Sequence, residues 1–139
     1  MRPRPDIEVV FGGELSAPRR VRRAVAPTLA GVDDPIAEDV QLAVSELVTN
    51  VVIHTGAGGT LRLWDPRPDV PVRVEVDDHS IEIPRIPAVA PDVGGRGLRM
   101  VAAISDDWGV ITSPNGKTVW AEFDRDARHE RSRQLTAPV

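Results

Sequence analysis

Glu46-Leu-Val-Thr-Asn50, followed by His54-Thr-Gly56, places a carboxylate, a carboxamide and an imidazole four residues apart. On a helix that interval returns to nearly the same face, one turn further along. A carboxylate can take a proton, and a carboxamide oxygen can ligate a hard cation such as Mg²⁺. Further along, Gly94-Gly-Arg-Gly97 offers a glycine turn that suits phosphate. Together these residues point to nucleotide chemistry. Singly, Glu46 and Asn50 would equally suit a solvated helix face.

The other chemical candidates also have two readings each. Asp77-Asp-His-Ser80 ends a valine-alternating segment. Carboxylates there can simply form a turn, or Asp78 can accept a hydrogen bond from the exocyclic amine of adenine. A buried carboxylate needs a partner, because desolvating it alone is expensive. Gly94 to Gly97 does not fit a dinucleotide fingerprint: it follows a proline-rich segment and not a strand, and Met100 stands at the third glycine position. Asn115-Gly-Lys-Thr118 reads as hairpin chemistry, or as Lys117 and Thr118 reaching nucleotide phosphates. It lacks the glycine spacing of a P-loop. His54 has no matched His or Cys spacing, so helix-end packing suits it better than zinc. Arg19, Arg20, Arg22 and Arg23 suit a solvated face, with partner docking as the other reading. Trp108 and Trp120 are expected to pack beside a hairpin.

These groups must be held by elements that the pattern predicts. Ile7 to Phe11 reads as a strand ended by Gly12-Gly13. Ser16 is expected to cap a first helix containing Pro18, and Pro27 to end or kink it. Asp34 as N-cap and Pro35 at the first helical position open a second helix. Its apolar stripe is Ile36, Val40, Ala43, Leu47 and Val51, and Gly56 stops it. Val48 to Ile53 is mostly β-branched and could be a strand by propensity. The caps and the period favour helix.

Thr60 to Trp64 reads as a strand, Asp65 to Asp69 as a turn, and Val72 to Asp77 as a half-buried alternating strand. His79 to Val93, with Pro84, Pro87 and Pro91, reads as a long functional loop. Leu98 to Ile104 reads as a short helix opened by the glycine cluster. Trp108 to Thr112 and Thr118 to Phe123 form a hairpin about Asn115-Gly116, with Val119, Ala121 and Phe123 pointing inward. The expected fold class is α+β: a two-layer sandwich with helices on one face of a mostly antiparallel sheet.

At 139 residues the chain suits one domain, residues 1–123, with a charged loose tail over 124–139. Hydrophobic residues make up 41% and aromatics 4%, so the core must rest on aliphatic side chains. The net charge of −4 argues against direct nucleic-acid binding. The absence of Cys excludes disulfides and thiolate metal sites. No signal peptide or membrane span is read, and a cytoplasmic protein is expected.

The combination resembles the GHKL ATPase/kinase superfamily, and within it the small anti-sigma-factor serine/threonine kinases and their histidine-kinase-like relatives in actinobacteria. Glu46-Leu-Val-Thr-Asn50-Val-Val-Ile-His54 is similar to the N box. Val74-Glu-Val-Asp-Asp78-His-Ser80 is similar to the first glycine box, with Ser80 and Glu82 where glycines would stand. Gly94-Gly-Arg-Gly97-Leu-Arg-Met-Val101 and Gly116-Lys-Thr118-Val-Trp-Ala-Glu122 are similar to the second and third. The similarity runs from about Phe11 to Phe123. It implies a Bergerat-type fold with a mixed, largely antiparallel sheet, and it implies ATP and Mg²⁺ as cofactors.

It further implies Asn50 as Mg²⁺ ligand, Glu46 as general base and Asp78 as reader of the adenine amine. Gly95 and Gly97 would let the lid and helix start approach the phosphates, with Ser80, Arg96, Leu98 and Lys117 among the nucleotide-contacting positions. Thr118 would support the adenine-side or phosphate network. The implied activity is phosphorylation of a serine on an anti-sigma antagonist, with sequestration of a sigma factor. Those two proteins are the implied partners, and a homodimer is allowed. A non-catalytic ATP-dependent binding module and a plain ATPase are the alternatives.

Overall fold

The structure is a computed structural model that describes residues 3–65, 70–79 and 95–124, except the side chains of Asp34, Gly95 and Arg96. Residues 66–69 of the turn expected over Asp65 to Asp69, residues 80–93 of the loop expected over His79 to Val93, and the tail beyond Asp124 lie outside the described residues. In chain order the elements are β1 (Ile7–Phe11), α1 (Ala17–Val25), a 3-10 turn (Ala26–Leu29), α2 (Asp34–Thr55), β2 (Gly59–Trp64), β3 (Val72–Asp78), α3 (Gly95–Ile104), β4 (Asp107–Ser113) and β5 (Gly116–Phe123).

Helix α1 stops where Pro27 requires it, and the chain tightens into the 3-10 turn. Ser16 does not act as a side-chain cap; its hydroxyl makes no capping bond. Helix α2 starts one residue earlier than expected, with Asp33 and not Asp34 as N-cap and Pro35 in the first turn. It runs unbroken through the β-branched stretch, because that stretch is buried on one side and stopped by a good cap. Gly56 adopts φ 62°, and its N–H donates to the Val52 carbonyl at 3.0 Å. The stripe is wider than expected: Val44, Val48 and Val52 are buried beside Ile36, Val40, Ala43, Leu47 and Val51. Helix α3 also begins early, at Gly95, so Gly95, Arg96 and Gly97 form its first turn.

The sheet order is β1-β2-β3-β5-β4. Every strand pairing in it is antiparallel, in line with the mostly antiparallel sheet expected. The chain leaves β3, forms α3, and returns at the edge strand β4. The β4–β5 hairpin then fills the slot between β4 and β3. Pro114 and Asn115 form its two-residue turn, one residue earlier than the expected Asn115-Gly116, and Gly116 opens β5 at φ 138°, a conformation that L side chains rarely adopt. Strand parity puts Leu61, Leu63, Val72, Val74, Val76, Val119, Ala121 and Phe123 on the helix-facing side, all buried. Each such aliphatic side chain contributes about 1.5–3 kcal/mol of burial.

The opposite face carries a polar ladder. Arg73 is only 7% exposed. Its Nε donates to Glu75 Oε2 at 2.7 Å, its Nη1 to Glu122 Oε2 at 2.9 Å, and its guanidinium lies 4.4 Å from the Trp120 ring centroid. Trp120 lies flat across Gly109, where an added Cβ would meet the indole at 2.8 Å. So β3 is not half-buried by simple alternation, because this cluster covers its polar face as well. Trp108 departs from the packing expected of it and is 37% exposed.

Removing Arg73 takes a donor from each of the Glu75 and Glu122 carboxylates and the cation from the Trp120 ring. Arg73→Ala is expected to cost about 1–3 kcal/mol in chemical denaturation. Glu8 reaches Arg62 at 3.4 Å but its side chain is 50% exposed. Glu8→Ala is accordingly expected to cost less than about 1 kcal/mol. Equal losses for the two variants would contradict this account of the outer face.

Candidate functional site

Packing fixes the rotation of α2, and rotation decides where its polar residues go. Leu47 and Val51 face the sheet, so Glu46 and Asn50, one helical turn apart, project at the edge of that contact. Both are partly exposed. Among the described residues, neither the Glu46 carboxylate nor the Asn50 carboxamide is held by a side-chain hydrogen bond.

Asn50 lines a cavity with Leu47 and Val51 of α2, Val76 and Asp78 of β3, and Lys117 and Val119 of β5. Its apolar sides are the same valines and leucine that alternate into the core. Asp78 continues the inward parity of Val72, Val74 and Val76, and is 8% exposed. Lys117 is its direct cross-strand partner. The enclosed space is about 10 Å³, room for roughly one water. A wider groove between α1 and α2 is lined by Arg22, Arg23, Leu29, Glu38, Gln41 and Leu42. It brings together none of the acid, amide and glycine groups singled out from the sequence.

The first turn of α3 comes against α2 at Glu46: a Cβ built on Gly97 would lie 3.3 Å from Glu46 Oε2. Glycine there permits the close approach. Leu98 packs against the core from the same turn. The backbones of Gly95 and Arg96 belong to this turn, whose N–H groups have no intrahelical acceptors. Ser80 lies outside the described residues.

Thr118 lies apart from this cavity. Its hydroxyl donates to Asp77 Oδ1 at 2.6 Å on the outer face of the sheet. There Arg62 also bonds Asp77, and that hydrogen bond raises the Arg62 guanidinium further above its ordinary value. The neighbouring aspartates are thus divided: Asp77 is a structural acceptor outside, and Asp78 faces the cavity. Lys117, another of the expected nucleotide-contacting positions, lines the cavity. His54 is exposed at the end of α2. Arg19, Arg20, Arg22 and Arg23 are exposed as a solvated face requires.

Sequence reasoning did not single out the cavity walls Leu47, Val51, Val76 and Val119 as site residues. The signal was present, since all four continue the stripe and alternation that place Asn50 and Asp78. The described residues contain no cluster of three or more His, Asp or Glu able to hold a metal. A divalent ion would thus rely on Asn50, water and the oxygens of a bound phosphate, a donor set that suits Mg²⁺. Apolar walls ending in a buried acceptor suit a heterocyclic base. No helix among the described residues is long and apolar enough to cross a membrane.

The comparisons bear on the fold and the family. Among solved structures, the RsbU and RsbW domains of Rv1364c from Mycobacterium tuberculosis superpose with a TM-score of 0.64 at 23% identity. The match covers 86% of this chain and 32% of that one, so this chain spans about a third of the other's length. At that identity the likeness speaks for the fold. No curated protein sequence matches the chain. Residues 13–123 match the family model of the histidine kinase-like ATPase domain. With that span, and with the two-layer fold of the GHKL ATPases, the chain belongs to the histidine kinase-like ATPase domain family.

Proposed function

We propose that this protein is an Mg-ATP-dependent serine/threonine protein kinase that also acts as an anti-sigma factor. It phosphorylates a serine of an anti-sigma antagonist protein and sequesters a sigma factor. The observation that carries this reading is the convergence of Glu46, Asn50, Asp78 and Gly97 from three separate elements. The likeness to an RsbW domain and the resemblance of the sequence boxes support it.

In this reading Asp78 accepts a hydrogen bond from the adenine amine, and the valine and leucine walls hold the ring. The Asn50 amide oxygen would hold Mg²⁺, which when bound would supply charge neutralisation at the phosphates. Glu46 takes the proton from the partner's serine hydroxyl. The serine oxygen then bonds to the γ-phosphorus as the bond to the bridging oxygen of ADP breaks. Helix α3 holds the base in place through the contact at Gly97. The N–H groups of its first turn offer donors to an anion.

A second reading is a binding module in which ATP sets the shape for partner capture without turnover. Ser80 and Glu82 in place of glycines favour it.

Incubation with Mg-ATP and a cognate antagonist separates these. The kinase reading expects phosphoserine on the antagonist, reduced roughly 10²–10⁴-fold by Glu46→Ala. ATP binding with no phosphoserine and no phosphate release supports the binding module instead. Steady phosphate release without a partner identifies a plain ATPase.

Asn50→Ala is expected to lose most of the stabilisation that Mg-ATP confers, which is about 2.7 kcal/mol at a hundredfold excess over Kd. A thermal shift as large in the variant as in the wild type contradicts the role of Asn50. Gly97→Ala tests the α3 contact. Alanine favours a helix interior by about 0.5–1 kcal/mol, so the melting temperature should hold or rise. Phosphotransfer should still fall about tenfold or more, because the new methyl displaces the Glu46 carboxylate. Undiminished transfer would show that this contact does not position the base.

A further inference from the structure

We propose that the free edge of β4 pairs antiparallel with the β4 of a second copy of this chain, joining two sheets into one continuous sheet about a two-fold axis at Val110. This contact lies at the edge of the sheet and does not depend on the nucleotide-binding reading.

Strand β4 closes one side of the sheet and, among the described residues, pairs with β5 alone. Edge strands are commonly blunted by lysine, proline, a bulge or short length. Strand β4 has none of these: Asp107–Ser113 is seven residues long, and its register with β5 runs one to one throughout. Its aromatic and β-branched side chains suit a sheet, and they stand in solvent. Val110 is 46% exposed and Ile111 54%, and Trp108 is exposed too. Strand β1, at the other edge, is shorter and carries Glu8.

The hairpin decides which backbone groups face outward. A two-residue turn closes on a hydrogen-bonded pair, here Ser113 and Gly116. Bonded and non-bonded pairs then alternate, so Ile111 with Thr118 and Gly109 with Trp120 are the next bonded pairs. Trp108, Val110 and Thr112 therefore turn their N–H and C=O groups away from β5, toward the free edge.

That row is complementary to itself. With the axis at Val110, Val110 meets Val110 of the second copy, and Trp108 meets Thr112, each as a bonded pair. Aromatic and β-branched pairs of this kind stabilise neighbouring strands. On the outer face Ile111 comes opposite Gly109, where the glycine leaves room and the Trp120 indole lies across. Asp107, the strand's one charged residue, comes opposite Ser113, so no like charges meet. An axis at Trp108 would shorten the ladder and draw the Asp106 and Asp107 carboxylates of both copies together. The same surface serves both copies, as a closed two-fold contact requires.

An interface built on one strand edge belongs to the small class, so the dimer is expected to be weak, with Kd on the order of 10 µM. Sedimentation velocity from about 1 to about 300 µM spans that range. Circular dichroism melts establish that each variant is folded. Val110→Lys and Val110→Glu each place like charges on the axis and should be monomeric, whereas their equimolar mixture should restore the dimer. Val110→Pro removes an outward N–H and no bond to β5, and should also be monomeric. Val10→Lys, on β1, should dimerise as the wild type does. In the wild type, amide exchange at Trp108, Val110 and Thr112 should slow as concentration rises. A wild type that stays monomeric overturns the proposal, and if those three amides are protected in the monomer, the chain covers its own edge. Dimers that survive Val110→Lys and Val110→Pro, or that Val10→Lys abolishes, overturn it as well. A mixture of the Lys and Glu variants that stays monomeric overturns the register at Val110.

Discussion

The packing of α2 on the aliphatic face of β3 and β5 governs everything else in this molecule. Val40, Val44, Leu47, Val48 and Val51 are buried against Val74, Val76, Val119 and Ala121. A helix seated on so continuous an apolar stripe has one rotation about its axis, because turning it would expose several large aliphatic groups. That rotation carries Asn50 into the cavity and Glu46 to its side, against α3. The site is thus a consequence of core packing, and its acid and amide need no additional device to aim them.

Strand parity does for the sheet what rotation does for the helix. Two adjacent aspartates have the same chemistry and opposite fates. Asp78 shares the inward face with the valines, whereas Asp77 points outward to Thr118 and Arg62. A slip of one residue in β3 would exchange them and would also drive the valines into water. The same burial that stabilises the sheet therefore protects the assignment of these carboxylates. On the outer face, Arg73 is held by Glu75, Glu122 and Trp120, so one buried cation joins β3 to β5 at a distance from the cavity.

Much of this was legible in the residues. The stripe from Ile36 to Val51 and the cap at Gly56 identified α2 against its β-branched propensity, because burial on one side outweighs a few tenths of a kcal/mol per residue. Alternation identified β3 and the inward set Val119, Ala121 and Phe123. The same alternation, carried two residues back from Val119, assigns Lys117 to the cavity and Thr118 to the outer face. There Thr118 bonds Asp77, the neighbour of the cavity-facing Asp78. The one-residue shift at Asp33 and the early start of α3 are ordinary differences at helix ends, where a few hydrogen bonds decide the boundary.

By itself the sequence determined the elements, their faces and the types of chemical group available, since periodicity and caps are local and every residue carries its own donor or acceptor. Tertiary structure alone decided that β5 enters between β3 and β4, which sets Lys117 opposite Asp78 and Trp120 over Gly109. It also brought Gly97 onto Glu46, residues far apart in the chain. Such neighbours depend on which apolar faces pack together, and that follows from the balance of burial over the whole core and not from any single segment.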